Sequence, residues 1–198
     1  MPRAVSRHRR EEILDLAVPL FAATGFEGVS MREIAAASEV TPAALYNYFP
    51  DKEQLYLDAV GYAFKEKIVP LDALLAAKGD PWRRLEAFAL ELARLLGQEN
   101  DFRRLMQWVM LDRDEQRLKK LTDHVFHDLS AALLKFFAEL APAQDPRRLV
   151  ISMLALILYP FETKALRRFL PEYGDLREDP ESLARHAVQL FRFGVKKA

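Results

Sequence analysis

The side chains with the clearest binding chemistry lie between residues 41 and 52 of this 198-residue chain. Tyr46 and Asn47 carry hydrogen-bonding groups and are expected on the exposed face of a short helix. Lys52 opens the helix that follows, where its charge and the unpaired backbone amides favour phosphate oxygens. These residues therefore indicate recognition of a phosphate-bearing partner.

Two short helices joined by a tight corner would position these side chains. Residues 30–49 read SMREIAAASEVTPAALYNYF, with the corner at residues 38–40. Ser30 and Glu33 form a capping-box pattern at the start of the first helix. Thr41 can cap the second helix, and Pro42 suits its first turn, where no N–H is needed. A short, well-capped helix on an outer face is typical of helices that enter the major groove of DNA.

The rest of the chain carries helical signals almost everywhere. Asp-Pro pairs begin at Asp80, Asp145 and Asp179, and each indicates an N-cap followed by proline in the first turn. Strand alternation and Asn-Gly hairpin turns are missing from the sequence. The fold class is therefore all-α, with about nine helices. The predicted helices cover about residues 7–23, 31–37, 42–48, 52 to the high 70s (interrupted at Pro70), 81–97, 102–111, 114–140, 146–169 and 180–195.

Charge restricts how such a chain could bind nucleic acid. Lys and Arg number 29, as do Asp and Glu, so the formal net charge is +0. Binding through bulk positive charge is thereby excluded. Residues 1–60 hold six basic and nine acidic residues, a net charge of −3. DNA binding would depend on a focused face with few phosphate contacts and a modest salt dependence.

Enzymatic chemistry finds little support in the residue types. The chain has no cysteine, which excludes disulfides, thiol nucleophiles and thiolate metal sites. It contains no P-loop, GxGxxG, HExxH or GxSxG pattern. His124 and His127 stand at i, i+3, which suits either a metal or a solvated helix face. We therefore expect no enzyme activity, no cofactor and no metal site.

The stretch from about residue 10 to residue 60 resembles the DNA-binding domain of the TetR (tetracycline repressor-like) family of transcriptional regulators. The resemblance rests on Ala17, Phe21, Gly25, Phe26, Ser30, Ile34, Ala35, Val40 and the run LYNYFPDKE over residues 45–53. It implies a helix-turn-helix DNA-binding domain over residues 1–51 and a helical ligand-binding and dimerisation domain over residues 52–198. Glu39 departs from the family, which often has glycine at this corner, and a positive φ there would cost roughly 1–2 kcal/mol.

The resemblance also implies roles on the DNA. Tyr46, Tyr48 and Lys52 are expected to hold phosphates, and Asn47 to reach a base edge. Tyr46 and Tyr48 could instead be core aromatics, which is the expectation for Phe49. The predicted DNA-binding residues are Arg32, Thr41, Pro42, Ala43, Ala44, Tyr46, Asn47, Tyr48 and Lys52.

Basic clusters elsewhere each have two interpretations. The residues ahead of the first helix form either a solvated tail or an arm that touches the DNA backbone or minor groove; they are Arg3, Arg7, Arg9 and Arg10. Two Arg-Arg pairs could meet an anionic head group such as a coenzyme A phosphate or could form surface ion pairs; they are Arg147-Arg148 and Arg167-Arg168.

A small-molecule pocket among the middle helices is a further implication of the resemblance. Aromatic and methionine side chains suit an adaptable apolar pocket, although each of them could instead belong to the core. The predicted effector-binding residues are Phe88, Met106, Trp108, Met110, Phe126 and Tyr159.

The last two predicted helices correspond to the pair that forms the dimer in the family. Residues 149–161 are apolar on more than one face, which indicates burial against a second copy. At 13 residues, this stretch is expected to be too short to span a bilayer. The N-terminus lacks an apolar signal core. We therefore expect a cytoplasmic homodimer without a membrane partner.

Together these features predict a ligand-responsive, sequence-specific transcriptional regulator. By the habit of the family it would be a repressor, released from a palindromic operator in double-stranded DNA by a hydrophobic or amphipathic small molecule. An acyl-CoA or an aromatic compound would fit. The alternative is a helical interaction protein of the same fold that no longer binds DNA.

Overall fold

The computed structural model describes residues 2–173 and 179–194, with side chains from residue 7 onward, and the regular secondary structure in these ranges is helical. The α-helices are α1 (Pro2–Thr24), α2 (Met31–Ala37), α3 (Pro42–Tyr48), α4 (Lys52–Lys67), α5 (Val69–Ala76), α6 (Pro81–Gln98), α7 (Asn100–Leu111), α8 (Glu115–Leu121), α9 (His127–Leu140), α10 (Pro146–Arg167) and α11 (Pro180–Gly194). A π-helical segment, Thr122–Phe126, joins α8 to α9, and a 3₁₀ turn, Pro171–Tyr173, follows α10. The all-α class predicted from the sequence is confirmed.

The chain divides into two compact units. The first unit comprises residues 1–67 and 99–127, and the second comprises residues 68–98 and 128–198. The first unit thus contains α4, α7 and α8 in addition to the three helices of the predicted helix-turn-helix domain. The division of functions at residue 51 remains a prediction.

In the first unit, α1 packs against α4 and α7. Ile13, Ala17 and Phe21 of α1 are fully buried, because they share one face of the helix. The Phe21 ring meets Tyr56 of α4 edge-on at a centroid distance of 5.0 Å. Leu45 of α3 is also fully buried, so the short helix is anchored to the same core.

The predicted helix caps of the first unit are present. The Ser30 hydroxyl accepts a hydrogen bond from the Glu33 amide at 3.2 Å, and the Glu33 carboxylate accepts one from the Ser30 amide at 2.7 Å. The Ser30 hydroxyl also donates to the Glu33 carboxylate at 2.7 Å, and this bond, together with that from the Ser30 amide, lowers the pKa of Glu33. The Thr41 hydroxyl accepts a hydrogen bond from the Ala44 amide at 3.2 Å. Both short helices therefore begin where their capping residues predict.

In the second unit, α6 packs against α11, α5 and α10. The inner face of α6 carries the fully buried Leu85 and Phe88. Phe137 of α9 meets the Phe191 ring of α11 at a centroid distance of 5.5 Å. These apolar side chains form a separate core, as expected of a compact unit.

Three of the predicted helices differ from the observed ones by more than one or two terminal residues. The first helix begins at Pro2, so residues 3–10 are helical and do not form a tail or a separate arm. The helix predicted from Lys52 to the high 70s ends at Lys67, and Pro70 lies in the first turn of α5, where proline is tolerated. The helix predicted over residues 114–140 contains the π-helical segment, which has no signal in apolar periodicity.

The expectation that the apolar stretch is too short to cross a membrane is wrong when the whole helix is measured. α10 has 22 residues and a mean hydropathy of 1.6 over its best window, of which 17% is buried within the chain, so it is long and apolar enough to span a bilayer. The sequence estimate counted only the continuous apolar run. One such helix is weak evidence for a membrane segment.

Candidate nucleic-acid interface

The helix α3 presents most of the predicted DNA-binding side chains to solvent. Tyr46 is 51% exposed, whereas its neighbour Leu45 is fully buried. Ala44 and Tyr48 are half-buried. The other predicted residues of this surface are exposed, and they are Arg32, Thr41, Pro42, Ala43 and Asn47. Phe49 is fully buried, so it packs in the core as its position suggested.

The corner between α2 and α3 is strained at one residue. Glu39 has a φ of 52°, which lies in the left-handed region that glycine adopts without penalty. A non-glycine residue there costs roughly 1–2 kcal/mol. The departure from the family pattern at this position therefore has an energetic cost.

Two arginines from the predicted N-terminal arm hold the domain together. The Arg9 Nη2 atom donates a hydrogen bond to the Ser38 carbonyl oxygen at 2.6 Å, across the corner. The Arg10 guanidinium pairs with Asp58 of α4 and lies 4.8 Å from the centroid of the Phe49 ring. The side chain of Arg3 lies outside the described residues. Arg9 and Arg10 are thus structural, and sequence reasoning about a loose arm missed this.

Lys52 combines a structural contact with a position at the start of α4. Its Nζ atom donates a hydrogen bond to the Phe26 carbonyl oxygen at 3.0 Å and lies 4.3 Å from the centroid of the Phe26 ring. An ammonium group has three N–H donors, so this one bond leaves capacity for a phosphate oxygen. Asp51 caps the helix by accepting a hydrogen bond from the Gln54 amide at 2.7 Å.

A buried ion pair lies against the same phenyl ring. The Arg117 guanidinium carbon is 4.0 Å from the Phe26 ring centroid, and Arg117 is only 8% exposed. Its Nε and Nη2 atoms donate to the two carboxylate oxygens of Asp112 at 2.5 Å and 2.7 Å. These hydrogen bonds lower the pKa of Asp112. Burial, together with the nearby charge of Asp112, raises the pKa of Tyr56 to about 12.

The predicted effector-binding residues are divided between the two units. In the first unit, Trp108 Nε1 donates to the Ala22 carbonyl oxygen at 3.2 Å. Phe126 meets Phe64 edge-on at 5.1 Å, while Met106 is half-buried and Met110 is 64% exposed. In the second unit, Phe88 is 1% exposed and Tyr159 is 67% exposed. Neither unit by itself brings all six together.

The described part of the second unit carries an apolar groove and a more polar one. An apolar groove of about 510 Å³ lies between α10 and α11 and is lined by Leu149, Ser152, Ala155, Leu156, Tyr159, Leu190, Phe191 and Gly194. A smaller groove of about 320 Å³ lies beside the start of α6 and is lined by Leu74, Ala77, Lys78, Gly79, Asp80, Arg83, Arg84 and Ala87. Of these two grooves, the one beside α6 is lined by several cations, whereas the one between α10 and α11 is not.

The cations of the smaller groove differ in their contacts. Arg84 donates a hydrogen bond to the Leu75 carbonyl oxygen and lies 5.0 Å from the Phe136 ring centroid. Lys78 and Arg83 have no hydrogen bond or ion pair with the part of the chain that the structure describes. They are therefore the more available charges in this groove.

The arginine pairs considered in the sequence are engaged in local contacts. Arg147 pairs with Asp145 at 2.8 Å, and this contact is the main reason that the pKa of Asp145 falls to about 2. Arg167 donates to Thr163 at 2.9 Å. Among the described residues, no group of three or more His, Asp or Glu side chains is placed to hold a metal ion.

A capped helix-turn-helix with an exposed second helix places the protein in the helix-turn-helix class of DNA-binding proteins. Residues 13–59 match the family model of the tetR family of bacterial regulatory proteins. This match assigns the helix-turn-helix domain within residues 13–59 to the TetR family.

Three comparisons extend beyond this domain. The transcriptional repressor KstR of Mycolicibacterium smegmatis is 27% identical over 139 residues, which cover 70% of this chain and 68% of KstR. The nucleoid occlusion factor SlmA of Escherichia coli is 26% identical over 138 residues, which cover 69% of this chain and 70% of SlmA. AibR, solved in complex with isovaleryl coenzyme A and operator DNA, is 25% identical with a TM-score of 0.69, covering 92% of this chain and 97% of AibR.

Proposed function

We propose that the protein is a transcriptional repressor that binds a palindromic operator as a homodimer and is released by an amphipathic acyl thioester of coenzyme A. The observation that supports operator binding most directly is α3, a capped helix anchored by the fully buried Leu45. Its exposed residues form a surface that can enter a major groove.

On the DNA, the proposed contacts fall into two classes. Tyr46, Tyr48 and Lys52 donate to phosphate oxygens and fix the position of the helix. Asn47 has the amide geometry that reads an adenine edge. The remaining proposed DNA-binding residues lie close to the groove and supply shape, and they are Arg32, Thr41, Pro42, Ala43 and Ala44.

Dimerisation is proposed through α10 and α11. Tyr159 is 67% exposed and Leu190 is 49% exposed, and both line the apolar groove. An apolar face of this kind, on a helix that is 17% buried over its best window, is stabilised when a second copy covers it. Two recognition helices could then enter successive major grooves, about 34–36 Å apart. We propose that this dimer acts in the cytoplasm and not in a membrane.

The class of effector is inferred from AibR and from the charges of the second unit. AibR was solved with isovaleryl coenzyme A. Lys78 and Arg83 are available cations in a groove, and coenzyme A carries phosphates that such cations bind. The effector-binding residues expected from the sequence stay predictions, and they are Phe88, Met106, Trp108, Met110, Phe126 and Tyr159.

Release requires that the effector bind the two conformations of the protein unequally. Typical coupling of roughly 1–3 kcal/mol would weaken operator binding about 5- to 150-fold. Isovaleryl coenzyme A is the probe for this step. Replacing both Lys78 and Arg83 with alanine should weaken probe binding, measured by calorimetry, while operator affinity without the probe stays unchanged. Equal affinity of the variant and the wild type for the probe would contradict the phosphate assignment.

The operator itself is tested by selecting genomic DNA fragments on the purified protein at about 0.15 M salt, followed by sequencing. One enriched palindrome is the expected result. Sites upstream of genes would support repression, whereas sites without that bias would favour a role like that of a nucleoid occlusion factor. No enrichment, even after the protein is unfolded, washed and refolded to remove a bound ligand, would favour the alternative of an interaction protein that no longer binds DNA.

A further inference from the structure

Phe26 lies in the turn after α1, where cations from two other helices approach its ring. We propose that Phe26 is a positioning residue, which transmits the conformation of α7 and α8 to Lys52 on the DNA-binding face. The inference rests on the proposed operator binding, because Lys52 matters here as a phosphate contact. It goes further by assigning a function to Phe26, Arg117 and Asp112, none of which is among the predicted DNA-binding residues.

The geometry links the three side chains directly. Lys52 Nζ lies 4.3 Å, and the Arg117 guanidinium carbon 4.0 Å, from the centroid of the same ring. Lys52 also bonds the Phe26 carbonyl oxygen at 3.0 Å. A cation within about 6 Å of a ring centroid is attracted by the negative face of the ring. Movement of the ring therefore changes the position that is most favourable for the ammonium of Lys52.

The two cations differ in how their charge is balanced. Arg117 is buried and bonded through two atoms to Asp112, so its charge is neutralised locally and its orientation is fixed. Lys52 has no carboxylate partner among the residues the structure describes, so its charge remains available to a phosphate. Asp112 follows the last residue of α7 and Arg117 belongs to α8. A change in the relative position of these two helices would therefore move the Arg117 guanidinium relative to the Phe26 ring.

A second contact from α7 acts on the neighbouring residue. Gly25 has a φ of 73°, and a Cβ atom at this position would lie 2.8 Å from the Trp108 ring. Trp108 Nε1 also donates to the Ala22 carbonyl oxygen at 3.2 Å. The turn that carries Phe26 is therefore held by α7 as well as by α8. A shift of either helix would displace the turn, because the packing leaves no space between Gly25 and the indole.

The proposal is tested on the duplex enriched by the genomic selection, by fluorescence anisotropy between about 0.05 and 0.2 M salt. Lys52→Ala should weaken binding roughly 10-fold. Arg117→Met should also weaken binding, although Arg117 is buried and cannot reach DNA. The loss of affinity caused by Arg117→Met should be at least about threefold smaller in the Lys52→Ala variant than in the wild-type protein. When the comparison is repeated in a Phe26→Leu protein, the effects of Arg117→Met and Lys52→Ala on affinity should be independent of each other, because leucine has no aromatic ring.

The salt dependence separates positioning from a loss of stability. Removing one phosphate contact lowers the slope of log K against log salt by about 0.9. Arg117→Met should lower the slope by a similar amount, while a variant that only destabilises the fold weakens binding without changing the slope. Phe26→Tyr keeps an aromatic ring, so this variant should have the same slope as the wild-type protein. If Arg117→Met destabilises the protein, Arg117→Lys, which keeps the charge without the two-atom bond, serves as the second variant.

Lys120→Met is the matched control. Lys120 lies on α8 and pairs with Glu53 of α4 at 2.6 Å, so it also joins these helices, whereas the cations found over the Phe26 ring are Lys52 and Arg117. This variant should leave both affinity and slope nearly unchanged. Independent effects of Arg117→Met and Lys52→Ala in the presence of Phe26, or an unchanged slope for Arg117→Met, would overturn the inference. Wild-type protein that bound no duplex would instead contradict the proposed function.

Discussion

Tyr46 is exposed because its neighbour on α3, Leu45, points into the core. The resulting surface offers a phenol hydroxyl beside Asn47 and leaves mostly small side chains near the proposed groove. Phosphate contacts position a protein on DNA without reading the sequence, whereas base contacts discriminate. Most of the affinity of this surface is therefore expected to be independent of the base sequence.

We expect Tyr46→Ala to weaken binding to the operator and to unrelated duplexes by a similar factor, roughly 5- to 10-fold. The reason is the loss of a phosphate contact without loss of packing, since the side chain is half exposed. Electrophoretic mobility shift with both duplexes measures this. Tyr173→Ala removes another exposed tyrosine, in the second unit, and should have no effect on either duplex. A loss confined to the operator would instead assign Tyr46 to base recognition.

The strain at Glu39 allows a prediction about stability. Glu39→Gly should raise the free energy of unfolding by about 1 kcal/mol, because glycine adopts a positive φ without steric cost. Chemical denaturation of the full chain measures the change. Glu39→Ala is the control, since it removes the carboxylate but keeps the strain, and it should leave stability nearly unchanged. A gain for alanine as large as that for glycine would mean that the charge, and not the backbone, is unfavourable.

At the scale of helices, a buried ion pair between Asp112 and Arg117 stabilises the connection between α7 and α8. Asp112 follows α7 and binds Arg117 of α8 through two hydrogen bonds. Removing one partner of such a pair costs about 3–5 kcal/mol, because the other charge stays buried. We expect this contact to determine how α8 meets the turn at Phe26.

The lowered pKa of Asp112 predicts an acid-dependent loss of stability. A carboxylate whose pKa is lower in the folded protein stabilises the fold above its ordinary value of 3.8, and this contribution disappears as the pH falls through the folded value. Asp112→Asn should therefore be less stable near neutral pH and show a weaker decline in acid. Denaturation midpoints between about pH 6 and pH 2 measure the trend.

Asp145→Asn provides the comparison for that titration. Asp145 caps α10 and pairs with the exposed Arg147. Its pKa is also lowered, but solvent screens this pair, so its removal should cost less near neutral pH than the removal of Asp112. Identical stability profiles for the two variants at every pH would contradict a special role for the buried pair.

At the scale of the whole molecule, the question is what covers the apolar faces of α10 and α11. Replacing Tyr159 and Leu190 with glutamate should produce a monomer, because two charges would enter the apolar interface. Light scattering measures the mass, and operator affinity should fall by roughly 100-fold or more because each half-site would bind alone. The unfolding transition of the isolated chain should change little, since both side chains are exposed in it.

Met110→Glu is the matched control, because it adds a charge at an exposed apolar position of the first unit. This variant should remain dimeric. A wild-type protein that is monomeric in solution and floats with lipid vesicles would show that α10 meets a membrane instead of a second copy.

The sequence alone determined the parts of the protein that follow local rules. Capping depends on residues three positions apart, so Ser30 with Glu33, and Thr41 with the amide of Ala44, could be recognised directly. Helical periodicity is a further local rule, because it determines which side chains share a face of a helix. The exposure of Tyr46 and Asn47 follows from the same periodicity, which is why the candidate surface on α3 could be predicted.

Only the tertiary structure decided which distant residues meet. Phe26, Lys52 and Arg117 are far apart in the chain, and no periodic pattern connects a phenyl ring to cations on two other helices. Arg9 and Arg10 were similarly misread as part of an arm, because their partners Ser38 and Asp58 are distant in sequence. The π-helical segment at residues 122–126 also depends on packing. Local rules act over one or two helical turns, whereas these contacts require the folded core to bring the helices together.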